Sequence, residues 1–96
     1  MSKPPPTGDI DVDVALAHQH SHRHRADLDR SDRCGCFYCL RVYPPAAIEG
    51  WIGAAAGANA TALCPHCGID SVIGSASGFP VEREFLARMR QRWFGR

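Results

Sequence analysis

Four cysteines of this chain are spaced to hold a metal ion: Cys36 and Cys39 form one Cys-x-x-Cys unit, and Cys64 and Cys67 form a second. A turn of this kind presents two sulfurs on one side with backbone amides directed at them, and two such turns facing each other supply a tetrahedral thiolate shell. Twenty-four residues separate Cys39 from Cys64, enough for a strand, a short helix and a returning strand. Zinc is the expected metal, with Cys36, Cys39, Cys64 and Cys67 as its ligands. Iron is the less favoured occupant, because a Cys-Pro-x-Cys-Gly knuckle binds it in the same geometry. Four protein ligands fill the shell, so the site is read as structural, with no position open to water or substrate. Cys34 is surplus and reads as a free or half-buried thiol. Redox exchange of the thioredoxin kind expects one such motif on a βαβ unit, and no such unit is legible here.

The histidines are the second group with chemical potential. His18, His20, His22 and His24 make two i,i+4 pairs, His18/His22 and His20/His24, on opposite sides of an expected helix. No carboxylate completes a metal site at suitable spacing, so the reading is a polar helix surface that charges below about pH 6.5. His66 lies inside the second knuckle, where the intervening positions face solvent, and is not expected to be a ligand. Trp51 and Trp93 are read as core. No catalytic residue is assigned. The enzymatic alternative is a treble-clef nuclease of the HNH kind, with His22 or His24 and Asp70 as base and metal ligands. Against it, such enzymes place the catalytic histidine on a hairpin beside the structural zinc, whereas these histidines precede the first knuckle.

The elements that must position these residues follow from composition and pattern. Ninety-six residues allow one domain. Residues 1–12, with Pro4, Pro5 and Pro6, read as a disordered tail, and residues 13–33 as a polar, histidine-rich helix supported by Arg23/Asp27, Arg25/Asp29 and Asp29/Arg33 at i,i+4 spacing. Residues 34–96 form the zinc-binding domain. Within it, Phe37 to Tyr43 leads from the first knuckle into a strand. Pro45 opens a short covering helix near residues 45–52 with Ile48, Trp51 and Ile52 on one face, and Ile69 to Ile73 is the returning strand. Gly53 to Ala60 is a spacer. Pro80 opens a C-terminal helix with Glu82 and Glu84 early and Arg88, Arg90 and Arg92 late, both favourable to the helix dipole. Its apolar arc is Val81, Phe85, Leu86, Met89 and Trp93. That arc is too large to leave in water, so it packs on the knuckles or on a second copy. Arg83, Arg90 and Phe94 form a basic, partly aromatic outer edge.

Charge narrows the partners. The net charge is +1, with one lysine in the chain. Residues 34–96 carry six arginines against four carboxylates, and four thiolates around Zn²⁺ would bring the loaded core near neutrality. Nucleic-acid binding rests on many Lys and Arg, so it is not favoured over a protein partner. No run is long and apolar enough to span a bilayer, and Met1 to Asp13 lacks the apolar stretch of a secretory signal; a cytoplasmic home is expected.

The runs Cys34-Gly-Cys-Phe-Tyr-Cys-Leu, Pro45 to Trp51, Thr61-Ala-Leu-Cys-Pro-His-Cys-Gly-Ile-Asp-Ser-Val-Ile-Gly, and Phe85-Leu-x-x-Met89 with Trp93-Phe94 form a set. It resembles short bacterial cytoplasmic proteins with zinc-ribbon-like knuckles, over roughly residues 21–94. The resemblance implies the metal fold but carries no activity with it. The second knuckle alone also resembles that of rubredoxins and many zinc ribbons. The combined expectation is a small α+β fold: a zinc-ribbon-like pair of knuckles with short antiparallel strands and flanking helices. It would serve as a non-catalytic binding module, monomeric or homodimeric.

Overall fold

A computed structural model describes residues 3–95, so the first two residues of the expected tail and Arg96 lie outside it. The chain is a small α+β fold with short antiparallel strands in two small sheets. Helix α1 runs Ile10–Ala17, capped by Asp9, whose carboxylate accepts from the Asp11 and Val12 amides. Its start is pinned from upstream, because the Thr7 and Gly8 amides and the Thr7 hydroxyl donate to Asp13. Residues expected as a tail therefore include an N-cap and the first helical turn.

The single helix expected over 13–33 is broken in two. After α1 comes one 3-10 turn, His18–His20, then a bend, then α2, Arg25–Asp29. Three local facts stop the helix. The Ser21 hydroxyl donates to the His18 carbonyl at 2.6 Å, Arg23 sits at φ 50, and the Arg23 amide donates to the Thr61 hydroxyl at 2.8 Å. The amides of His24 and Arg25 then share the Ala60 carbonyl. Tertiary hydrogen bonds thus outweigh the i,i+4 charge pairs, each worth only about 0.2–0.5 kcal/mol.

Strands β1 (Cys34–Cys36), β2 (Val42–Tyr43) and β5 (Val72–Gly74) make one antiparallel sheet in the order β2-β1-β5. Strands β3 (Gly50–Ile52) and β4 (Thr61–Leu63) make a separate hairpin. The covering helix expected over 45–52 is instead one 3-10 turn, Pro45–Ala47, followed by β3. Ile48 is already extended, at ψ 125, and Gly50 opens the strand; Ile48 is buried but Ile52 is exposed, so no helical face exists there. The Gly/Ala spacer also has a job, since its Ala58 carbonyl accepts from the Ala26 amide and its Ala56 carbonyl from the Arg25 guanidinium.

Side chains alternate across the three-stranded sheet and divide the core in two. Ile73 belongs to the face covered by α1 and by α3 (Arg83–Phe94), with Val14, Phe85, Leu86 and Met89. Val72, Cys34 and Cys36 belong to the other face, with Leu28 of α2, Tyr43, Ala62 and Cys64. Both faces need a glycine at the crossing. A Cβ on Gly35 would stand 2.8 Å from Leu86 Cδ1, and one on Gly74 would meet Leu28 Cδ2 at 2.6 Å. The apolar arc of α3 is spent inside the chain, with Phe85, Leu86 and Met89 buried; Trp93, expected in the core, is 39 % exposed at its edge.

Candidate metal centre

Each knuckle is built from a strand end and a reversed turn, and the two are near copies. The amide of Leu40 donates to the Cys36 carbonyl at 2.8 Å, and that of Gly68 to the Cys64 carbonyl at 2.9 Å. The Cys36 amide reaches Arg41 O at 3.0 Å, and the Cys64 amide reaches Ile69 O at 2.9 Å. Both turns close through a left-handed residue, Leu40 at φ 67 and Gly68 at φ 79. Glycine takes that conformation freely, whereas leucine adopts it only because the knuckle requires it. The tight turns aim backbone amides at sulfur: Tyr38 and Cys39 donate to Cys36 Sγ at 3.3 and 3.4 Å, and His66 donates to Cys64 Sγ at 3.4 Å.

The four sulfurs of Cys36, Cys39, Cys64 and Cys67 lie within 4.8 Å of one another. Cys36–Cys67 stand 3.6 Å apart and Cys39–Cys64 3.7 Å apart. A disulfide would need about 2.05 Å. A tetrahedron with metal–sulfur bonds of about 2.3 Å has edges of about 3.8 Å, so the donor set fits a tetrahedral metal ion. Its electrostatics suit one. Burial pushes Cys67 up to about 12, with the Cys36 sulfur adding to it, and burial likewise raises Cys39. Cys64 is the exception: burial raises it, but the Tyr43 hydroxyl and the His66 and Cys67 amides outweigh that and bring it to about 7. Thiolates so crowded coexist only around a cation.

Two supporting groups carry no signal in the sequence. Ser71 is buried with its Oγ 2.9 Å from Cys36 Sγ, and the buried Tyr43 hydroxyl lies beside Cys64 with no other partner among the described residues. Both are donors able to steady a thiolate. Cys34 stands outside the cluster, fully buried rather than half-buried, its thiol donating to Tyr43 O at 3.4 Å. Burial, and then the charge of Cys64, push that thiol up to about 12, as suits a packing residue. His66 is exposed and pairs with Arg41 at 3.0 Å.

The histidines separate into two environments. His18 and His22 line a cleft of about 200 Å³ with Asp70, Ser21, Ser71, Phe37 and Phe94, beside the cysteine cluster. His20 and His24 are buried on the other side, contrary to a solvated helix face; His20 Nε2 donates to Pro4 O at 2.8 Å. The nuclease alternative drew on His22 or His24 with Asp70. Only His22 shares a cleft with Asp70. Trp51 is half-buried, with the Arg25 guanidinium 4.5 Å over its ring.

His24 makes stability depend on pH. His24 is 2 % exposed, neither ring nitrogen has a well-formed hydrogen bond among the described residues, and burial, aided by Lys3 and only partly offset by the Val72 backbone, lowers its pKa from 6.5 to about 4. The folded form therefore resists a proton that the unfolded chain accepts. The associated stability is complete above about pH 6.5 and falls away as pH drops toward 4, by about 3 kcal/mol. Urea unfolding of wild type and His24→Gln separates this from proton competition at the cysteines. The wild type's advantage over the variant is expected to shrink by about that amount between pH 7.5 and 4.5, and a constant gap would contradict it.

Compared with known protein families, curated proteins and solved structures, the chain finds no match in any of the three. Among the described residues no helix is long and apolar enough to cross a membrane.

Proposed function

We propose that this chain is a non-catalytic, zinc-stabilised binding module of the cytoplasm, and that its partner is a protein. The observation that carries the reading is the closed set of four sulfurs at tetrahedral spacing. All four positions around the ion are protein ligands, so the metal supplies folding free energy rather than a reactive water. Zinc is favoured over iron because it is the usual occupant of paired Cys-x-x-Cys knuckles.

The surface best suited to a partner runs along the outer end of α3. Tyr38, Trp93 and Phe94 are 39–40 % exposed there, Tyr38 and Phe94 meet edge to face at 4.9 Å, and Arg90 and Arg92 lie 5.7 and 5.1 Å over the Tyr38 and Trp93 rings. Aromatic and arginine side chains held in this way are typical of interface hot spots. Arg83, expected on the same edge, stands at the other end of the helix. Fluorescence anisotropy with short single- and double-stranded oligonucleotides tests the partner class. Little binding is expected at physiological salt. Tight, salt-sensitive binding that is lost on Arg90→Glu with Arg92→Glu would overturn the protein reading in favour of nucleic acid.

A further inference from the structure

We propose that the cleft between His18, His22 and Asp70 is a second metal site, for a divalent transition-metal ion, distinct from the cysteine cluster. The three residues come from two parts of the chain. His18 opens the 3-10 turn after α1, His22 follows the bend at Ser21, and Asp70 lies on the loop leaving the second knuckle. They meet along one cleft of about 200 Å³ floored by Phe37 and Phe94. The His18 ring is held between aromatic neighbours, its centroid 4.0 Å from Trp93 and 5.8 Å from Phe37 in tilted contacts, while Trp93 is itself tied to the Val14 carbonyl at 3.4 Å. His22 and Asp70 are exposed at the mouth.

None of these three side chains hydrogen-bonds to another group among the described residues. Two imidazoles and a carboxylate form a nitrogen/oxygen donor set suited to zinc, cobalt, nickel, manganese or ferrous iron. Burial at His18, and at the more open His22 partial desolvation together with the Lys3, His18 and Arg23 charges, hold both imidazoles below their ordinary range, so they are neutral near pH 7 with a lone pair to give, while the Asp70 charge acts on both in the opposite direction. Lys3 and Arg23 oppose a cation from the His22 side, and the Asp70 carboxylate offsets them in part. Among the described residues only the cysteine sulfurs already stand at mutual ligand spacing. Closing the second site therefore requires His22 and Asp70 to change rotamer around His18, which their exposure permits. Three protein ligands would leave coordination positions open, unlike the four-sulfur shell.

Cobalt(II) is the probe, added to protein whose cysteine site has been loaded with zinc and followed by calorimetry and visible absorption. One further equivalent is expected, without thiolate charge-transfer bands. His22→Gln and Asp70→Asn should each weaken its affinity by about tenfold or more, with the circular dichroism spectrum and the zinc content unchanged. Because both side chains are exposed, neither variant threatens the fold. No further equivalent in wild type, or equal uptake by the His22→Gln/Asp70→Asn double variant, would overturn the site. The proposal is independent of the zinc reading: if the cysteines held no zinc, the total count would fall by one, but cobalt uptake would still depend on His22 and Asp70.

Discussion

Cys64→Ser is expected to yield a chain that binds no metal at neutral pH and shows neither the far-ultraviolet circular dichroism nor the cooperative melting of the wild type. Binding to a structural four-ligand site contributes on the order of 10–16 kcal/mol, whereas a whole domain is stable by about 5–15 kcal/mol. Removing a sulfur therefore removes an amount comparable to the entire stability. The position explains the severity. Cys64 directly follows β4 and anchors the second knuckle, and its sulfur faces Cys39 across the site at 3.7 Å. Cys34→Ser is the matched control, two residues from a ligand but outside the cluster. A serine hydroxyl can still donate to Tyr43 O, so a loss of only about 1 kcal/mol and full metal content are expected. A folded, metal-containing Cys64→Ser protein, or a metal-free Cys34→Ser protein, would reverse the ligand assignment.

Phe85→Asp is expected to unfold or aggregate the protein, and added zinc should not rescue it. Phe85 is buried among Val14, Ile73, Phe79 and Met89, its ring stacked on Phe79 at 6.1 Å. Losing the ring costs about 3–5 kcal/mol, and an unpaired carboxylate in its place adds several more. For a chain this short, whose core alone is marginal, that is decisive. Arg83→Glu, on the exposed side of the same helix, should stay within about 0.5 kcal/mol of wild type. A Phe85→Asp protein melting like the wild type would mean that α3 does not close the core.

What could be read from the sequence is what depends on residue type at short spacing. The paired Cys-x-x-Cys units and the buried positions Phe85, Leu86 and Met89 are local patterns, and the structure places them as their spacing implies. The features missed depend on contacts between distant segments. Nothing near His24 reveals that Ala60 takes its amide, and nothing near Gly50 shows that Leu63 will lie opposite it. The helix between 13 and 33 fails for that reason, as does the covering helix over 45–52. Burial of Cys34 and of His20 follows from the same long-range packing. Cys34 begins a central strand and is fully buried rather than free or half-buried, and His20 is covered by the backbone at Pro4. The Ser71 and Tyr43 hydroxyls beside the sulfurs are legible only once the sheet brings β2, β1 and β5 together.

The four clustered cysteines are expected to hold one structural zinc ion per chain. Elemental analysis of protein expressed and purified without added metal tests it most directly, combined with cobalt substitution at the same site. The prediction is one zinc per chain in a colourless protein. After exchange, cobalt should give the intense absorption of a tetrahedral four-thiolate site, and a strong chelator should release the ion and the fold together. A chain that folds with no bound metal would contradict the account. So would one equivalent of iron with a visible absorption band, which would point instead to electron transfer.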